Sequence, residues 1–276
     1  MSAGSQQVFV DGVGLWAPRL PGWEMAGPVL RGEASAPETL AARPKPPLLA
    51  PTERRRATDT VAIALEVAVR ACEHAAVDPR VLSSVFACTH GDLATSDYLC
   101  ATLAGTPTLV SPTRFHNSVH NAPAGYWSIG TGSLAPYTAL AADRHTFGVG
   151  FLEAAVQVAC ESRPVLSVAY DVEARGPMAT VVHSRGMLAT ALVLAPRPSV
   201  HSVARITWRL VSAVDPRPTL ARENNAALVA GNALEACLVL FESLADAAPR
   251  TVVQTLTGSA LELVVEPWSV AAPAAG

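Results

Sequence analysis

Residues 8–16, VFVDGVGLW, alternate enough to predict an opening strand. Residues 18–51 are dense in prolines and polar breaks, and the stretch to residue 56 is expected to wrap the surface as a Pro-rich loop region. Thr58 or Asp59 can then cap a helix in which Val61, Leu65, Ala68, Val69, Cys72 and Ala76 form one apolar stripe while Glu66, Arg70 and Glu73 face elsewhere. That helix should end before Asp78-Pro79, and residues 83–87 predict a short buried strand.

The segment 118–155 carries the most information. From Asn121, the apolar positions Ala124, Trp127 and Ile129 suit a helix that breaks at Gly130-Thr131-Gly132, and Pro136 opens a run of strand formers over 137–142. A polar cluster, Asp143-Arg144-His145-Thr146, follows. Phe147, Phe151, Leu152, Ala155 and Ala159 then recur at helical spacing, with Asp143 or Thr146 placed to cap the first turn.

Beyond it, residues 164–170 and 189–194 read as buried strands, joined by a loop holding Arg175, His183 and Arg185. Strands over 206–214 and 251–265 flank a helix expected near 228–244. The sum is α/β, a mixed sheet between helices, in one domain spanning 1–276.

Half of the residues are hydrophobic, enough for a sizeable core. A net charge of −3 and a pI near 6.2 leave no basic footprint for nucleic acid, and Arg54-Arg55-Arg56 is expected in a solvated loop. No apolar run approaches the roughly 20 residues of a membrane span, and the first residues show no signal core, so a cytoplasmic location is expected. Five scattered cysteines read as reduced, buried small hydrophobes.

A helix N-terminus that follows a strand is where enzymes place a nucleophilic cysteine, because unpaired amides and the helix dipole lower the thiol pKa. The motifs Asn121-Ala-Pro-Ala-Gly125 and Gly132-Ser-Leu-Ala-Pro136, with the words SVHNAPAGYWSI and ALAADRHTFGVGFLEA, resemble the β-ketoacyl synthases of the thiolase superfamily. In that family the strand ends in an Ala-Cys pair. Matching through Gly132 and Pro136 puts Arg144 at the cysteine's position, and a slip of one residue gives Asp143 or His145. No cysteine lies between Cys100 and Cys160. The helix and strand over 58–87 fit the same pattern, so the resemblance spans about 58–195.

Within the superfamily the chain is most similar to short chain-length-factor-like ketosynthase subunits, notably those of bacterial aryl polyene pathways. That resemblance implies a layered αβαβα fold with a truncated C-terminal half. It also implies a non-catalytic subunit that pairs with an active β-ketoacyl synthase, or with itself, and shapes a tunnel for an acyl chain delivered by acyl-carrier protein. The strand over 137–142 would lie at the dimer interface, with Tyr126, Trp127, Tyr137 and Phe147 as tunnel or interface candidates; core packing explains each equally well.

Decarboxylative condensation needs a thiolate and two imidazoles or an equivalent pair. The family's histidines come from second-half motifs, and no histidine follows His201 here. Independent enzyme activity is therefore not expected, and no cofactor or metal is called for. The alternative is an acyl-thioester hydrolase or acyltransferase with a relocated nucleophile, Cys88 assisted by His90, at the end of the strand over 83–87. His116 and His120 could share a helix face, but no carboxylate or cysteine is grouped with them to complete a metal site.

Overall fold

The computed structural model describes residues 6–212 and 217–269. Its first half runs β1 (Gln6–Ala17), β2 (Leu20–Pro21), α1 (Trp23–Arg31), α2 (Pro51–Arg56), α3 (Asp59–His74), β3 (Ser83–Ala87), α4 (Leu93–Gly105), α5 (Pro112–His116) and α6 (Ala122–Thr131). The chain continues through β4 (Tyr137–Leu140), α7 (Thr146–Glu161), β5 (Val165–Val172), β6 (Met187–Ala195) and β7 (Ala204–Ser212). It closes with α8 (Glu223–Ala226), α9 (Leu238–Ala245), β8 (Arg250–Leu256) and β9 (Ser259–Pro267).

The strands form one nine-stranded mixed sheet in the order β4-β3-β5-β6-β1-β7-β9-β8, with β2 paired to β1. β3 runs parallel to both β4 and β5, and every other pairing is antiparallel. β1 is the link between two blocks of strands: Phe9–Trp16 pair with β6 and Gln6–Val10 with β7. A bulge at Asp11 shifts the register within the β1–β6 ladder, and the Asp11 carboxylate accepts a bond from the Ser202 hydroxyl.

Helices cover both faces of the sheet, burying its strands from each side. On one face α3 lies across β1, β5 and β6 and is backed by α6; its stripe packs with Phe86, Trp127 and Tyr170. On the other, Phe151, Ala154, Ala155 and Val158 of α7 meet Val85, Val165 and the Phe241 region of α9. α3 sits so close to β1 that a Cβ at Gly12 would lie 2.0 Å from the Ala71 carbonyl oxygen, and one at Gly14 2.2 Å from that of Val67. Among the described residues after 200, the chain adds three antiparallel strands to this same sheet, with short helices between them.

Several expectations need correction. β1 is buried on both faces, because helices cover each side, so strict alternation is absent. The stretch 18–56 is not all surface loop: it contains β2, α2 and α1, whose Ala26, Val29 and Leu30 are buried against the α9 side. Pro28, one of the prolines of that stretch, sits inside α1, which ends at Gly32 with φ +77. The helix expected near 228–244 is confined to Leu238–Ala245, since Gly231 holds φ +78 and the preceding segment turns. Cys100 and Cys160, expected to be buried, are exposed on the outward sides of α4 and α7. Positions 213 and 214 of the strand expected over 206–214 lie outside the described residues.

Candidate functional site

The turn between β4 and α7 carries the expected chemistry-bearing position, and its geometry singles out Asp143. This residue adopts φ +50, a left-handed conformation that costs a side chain about 1 kcal/mol or more and is found where a strand-to-helix turn thrusts one residue outward. Arg144 follows it in a 3₁₀ turn, Asp143–His145, and α7 starts at Thr146. The expected caps do not form. The Thr146 hydroxyl donates to the Asp143 carbonyl at 2.6 Å and accepts from the Ala142 amide at 3.0 Å, holding the turn rather than capping the helix.

Arg144 Nε donates to His145 Nε2 at 3.4 Å, and His145 Nδ1 lies 3.4 Å from the Thr255 hydroxyl. Asp143 and Arg144 are exposed. The start of α7 packs directly on β8: a Cβ at Gly148 would lie 3.0 Å from Leu256 Cδ2 and 3.3 Å from Gln254 Cβ. The turn thus bears a carboxylate and a guanidinium, with neither thiol nor unpaired imidazole.

Cys88 and His90 stand elsewhere, at the C-terminal end of β3. The chain turns at once after Cys88, through Gly91 at φ +66, so the two residues do not share a strand face. What organises this turn is Asp171 from β5. Its fully buried carboxylate accepts the Thr89 amide at 2.9 Å, the His90 amide at 3.3 Å and the Cys88 thiol at 3.4 Å. Burial, with the Asp171 charge behind it, pushes the Cys88 pKa well above the ordinary thiol value. Burial raises the Asp171 pKa as well, against the pull of the Thr89 amide. A buried thiol that serves as a donor is a poor nucleophile.

Alkylation checks this. With iodoacetamide near about pH 8, exposed Cys100 and Cys160 should label in the folded protein, and buried Cys88 and Cys237 only after denaturation. Mass spectrometry showing Cys88 labelled in the native state would restore the relocated-nucleophile reading.

The tunnel candidates are divided by the sheet. Trp127 and Tyr126 pack on the α3 face, where the Tyr126 hydroxyl donates to Asn117 Oδ1 at 3.1 Å. Phe147 packs on the opposite face against Phe241. Tyr137 alone is exposed, on the open edge strand β4, its hydroxyl accepting from Asn121 Nδ2 at 3.0 Å. His116 and His120 do not share a helix: the first packs edge-on against Tyr126, and the second pairs through Nε2 with the Cys88 carbonyl at 2.9 Å. Among the described residues no His, Cys, Asp or Glu cluster could hold a metal ion, and no helix is long and apolar enough to cross a membrane.

Two features escaped sequence reasoning. α4 has 13 residues, of which only Leu93 and Thr95 are buried, although LATSDYLCATLAG is largely apolar. With α5 and the 176–181 loop it forms a lobe exposing Leu103, Leu109, Phe115, Met178 and Val181. Beneath it runs a cleft of about 550 Å³ lined by Arg55, Arg56, Arg114 and Arg175. The arginine triplet is therefore the last turn of α2, not a solvated loop. The acids of the cleft are already engaged, Asp59 by Arg43, Asp92 by the Thr95 amide and Thr60 hydroxyl, and Glu173 by Arg175 at 4.0 Å. Among the described residues neither Arg55 nor Arg114 has a carboxylate partner, and Arg114 lies 4.3 Å over the Tyr98 ring.

This sheet, its helix layers and the strained turn define a thiolase-like α/β protein. The chain belongs to the β-ketoacyl synthase family: the family model for the beta-ketoacyl synthase N-terminal domain matches residues 31–256. Among solved structures it resembles the ketosynthase ApeO in complex with its chain length factor ApeC from Xenorhabdus doucetiae. The match has 18% identity and a TM-score of 0.68 over 94% of this chain and 99% of that one. The ishigamide ketosynthase/chain length factor matches at 16% identity and TM-score 0.67, covering 95% and 99%. A type II acyl-carrier protein in complex with its hexaketide-bound ketosynthase, AntDE:AntF, matches at 12% and 0.73, covering 97% and 100%. At these identities the likeness is one of fold. No curated protein matches the sequence.

Proposed function

We infer that this chain is a catalytically silent ketosynthase-like subunit that pairs with an active β-ketoacyl synthase and shapes the acyl chain made in a polyketide pathway, of aryl polyene type on the sequence resemblance. The observation that carries the reading is Asp143. It follows Ala142 where the family's Ala-Cys pair would stand, and it holds the outward-thrusting backbone conformation, so the one-residue slip favours Asp143 over Arg144 as the nucleophile's counterpart. A carboxylate there cannot carry a thioester, and no imidazole is placed to stabilise an enolate.

Pairing is supported by the open edge of β4 and by the apolar lobe of α4 and α5, since soluble monomers rarely leave such surface bare. The arginine-lined cleft supports docking of an acidic, phosphate-bearing acyl-carrier protein. The relocated-nucleophile alternative is not favoured, because Cys88 is buried and its thiol is spent on Asp171.

Co-expression with a cysteine-bearing ketosynthase, followed by size exclusion and a chain-elongation assay, tests this. The two chains should co-elute, the complex should alter product length, and this chain alone should condense nothing. Arg114→Glu in the complex should weaken carrier-protein binding without separating the subunits. A homodimer that ignores the synthase and leaves product length unchanged would overturn the proposal.

A further inference from the structure

Four guanidiniums line the arginine cleft, and they come from three separate elements: Arg55 and Arg56 from the last turn of α2, Arg114 from α5, and Arg175 from the segment that follows β5. All four residues are exposed, so their donors are open to a molecule in the cleft. Its volume of about 550 Å³ lies in the range of small-molecule sites.

Little in the protein quenches these cations. Arg56 stands 3.7 Å from Glu53 and Arg175 4.0 Å from Glu173, long contacts between exposed groups that contribute little and yield to a better anion. Arg55 and Arg114 have no carboxylate partner among the described residues, and the charge of Asp59 is taken by Arg43 from outside the cleft. A guanidinium has donors and no acceptor, and its fork matches the oxygens of a phosphate two at a time. Two such forks fill the free oxygens of one phosphate, and four call for two. The hydroxyls of Ser111 and Thr113 line the same space; Ser111 Oγ accepts from the Arg114 amide at 3.4 Å and keeps its own proton to donate. Ala57, Val172 and Met187 add apolar surface against which the organic part of an ester can lie.

We propose that the cleft binds a free small molecule carrying two linked phosphates, a diphosphate ester, through Arg55, Arg56, Arg114 and Arg175. A monophosphate engages half of these guanidiniums and binds more weakly. The site needs nothing from the docking of a carrier protein, and it deepens the proposed function in one respect: a carrier that docks on these arginines and a free diphosphate exclude one another.

The test is calorimetric titration of the full chain with ADP and with AMP, free of divalent cations and at about 0.15 M ionic strength, where long-range attraction is screened within roughly 8 Å. ADP should bind saturably and AMP about tenfold or more weakly. Pyrophosphate should compete with ADP, and orthophosphate should not. Arg55→Gln and Arg114→Gln should each weaken ADP binding about tenfold or more at unchanged melting temperature, while Arg163→Gln, beyond the end of α7, should leave it as it was. Three outcomes would overturn the proposal: no saturable ADP binding; equal affinity for AMP; or a loss of affinity no greater in Arg55→Gln and Arg114→Gln than in Arg163→Gln. ADP that binds as expected yet leaves a docked carrier protein in place supports the site and counts against carrier docking on it.

Discussion

Gly14→Ala is expected to lower the melting temperature by roughly 5–10 °C, corresponding to about 3 kcal/mol, the upper range for forcing extra volume into a packed core. The added Cβ would lie 2.2 Å from the Val67 carbonyl oxygen, a distance no side-chain carbon tolerates, and its neighbour is helix backbone that cannot rotate away. α3 would have to lift from β1 along its length. Gly12→Ala meets the Ala71 carbonyl at 2.0 Å and should cost at least as much. With about 5–15 kcal/mol of total stability in an ordinary domain, the double variant should not accumulate as folded protein. Gly125→Ala is the control: it lies within α6 with no atom within 4 Å of the added carbon. It should hold or gain about 0.5–1 kcal/mol through helix propensity. Thermal melts by circular dichroism separate these cases, and a Gly14→Ala protein as stable as the parent would refute the close packing of α3 on β1.

Phe115→Asp should leave the isolated chain as stable as before and dissociate the complex with its synthase. Phe115 is 64% exposed and Leu109 68% exposed, so neither supports the monomer's core. A buried aromatic anchor in an interface is worth about 2 kcal/mol or more, and a charge in its place adds a desolvation cost. Binding measured between purified subunits should weaken by about 30-fold or more. Leu109→Asp should act in the same direction, whereas Val200→Asp, on an exposed turn, should change nothing. Unchanged affinity in both lobe variants, with melting temperatures also unchanged, would move the pairing surface elsewhere.

The parts of the fold that were legible are those whose burial imposes a period on the sequence. α3, β3, α6, β5 and β6 fall close to where apolar spacing puts them, because each meets the core along one stripe or in one short run. α1 was hidden because Pro28 reads as a breaker, although the proline occupies an interior helical position and the apolar stripe survives around it. α4 was hidden for the opposite reason. It is apolar nearly all round and barely buried, so no one-sided pattern marks it.

At the candidate site, the missing thiol was plain from the positions of the cysteines, none of which lies between Cys100 and Cys160. Which residue replaces it was not, because the difference between Asp143 and Arg144 is a backbone dihedral and no residue type announces it. Nor could the sequence pair Cys88 with Asp171. Their contact spans 83 positions, joined only when β3 and β5 lie side by side.

β1 is translated long before its long partners. These, β6 and β7, are residues Met187–Ala195 and Ala204–Ser212, so its main pairings are of long sequence separation. At roughly 5–20 residues per second a ribosome needs about 10–40 s to supply them. For that interval the long apolar strand has only the two-residue β2 to pair with, so the two blocks of the sheet join only after both long partners have emerged.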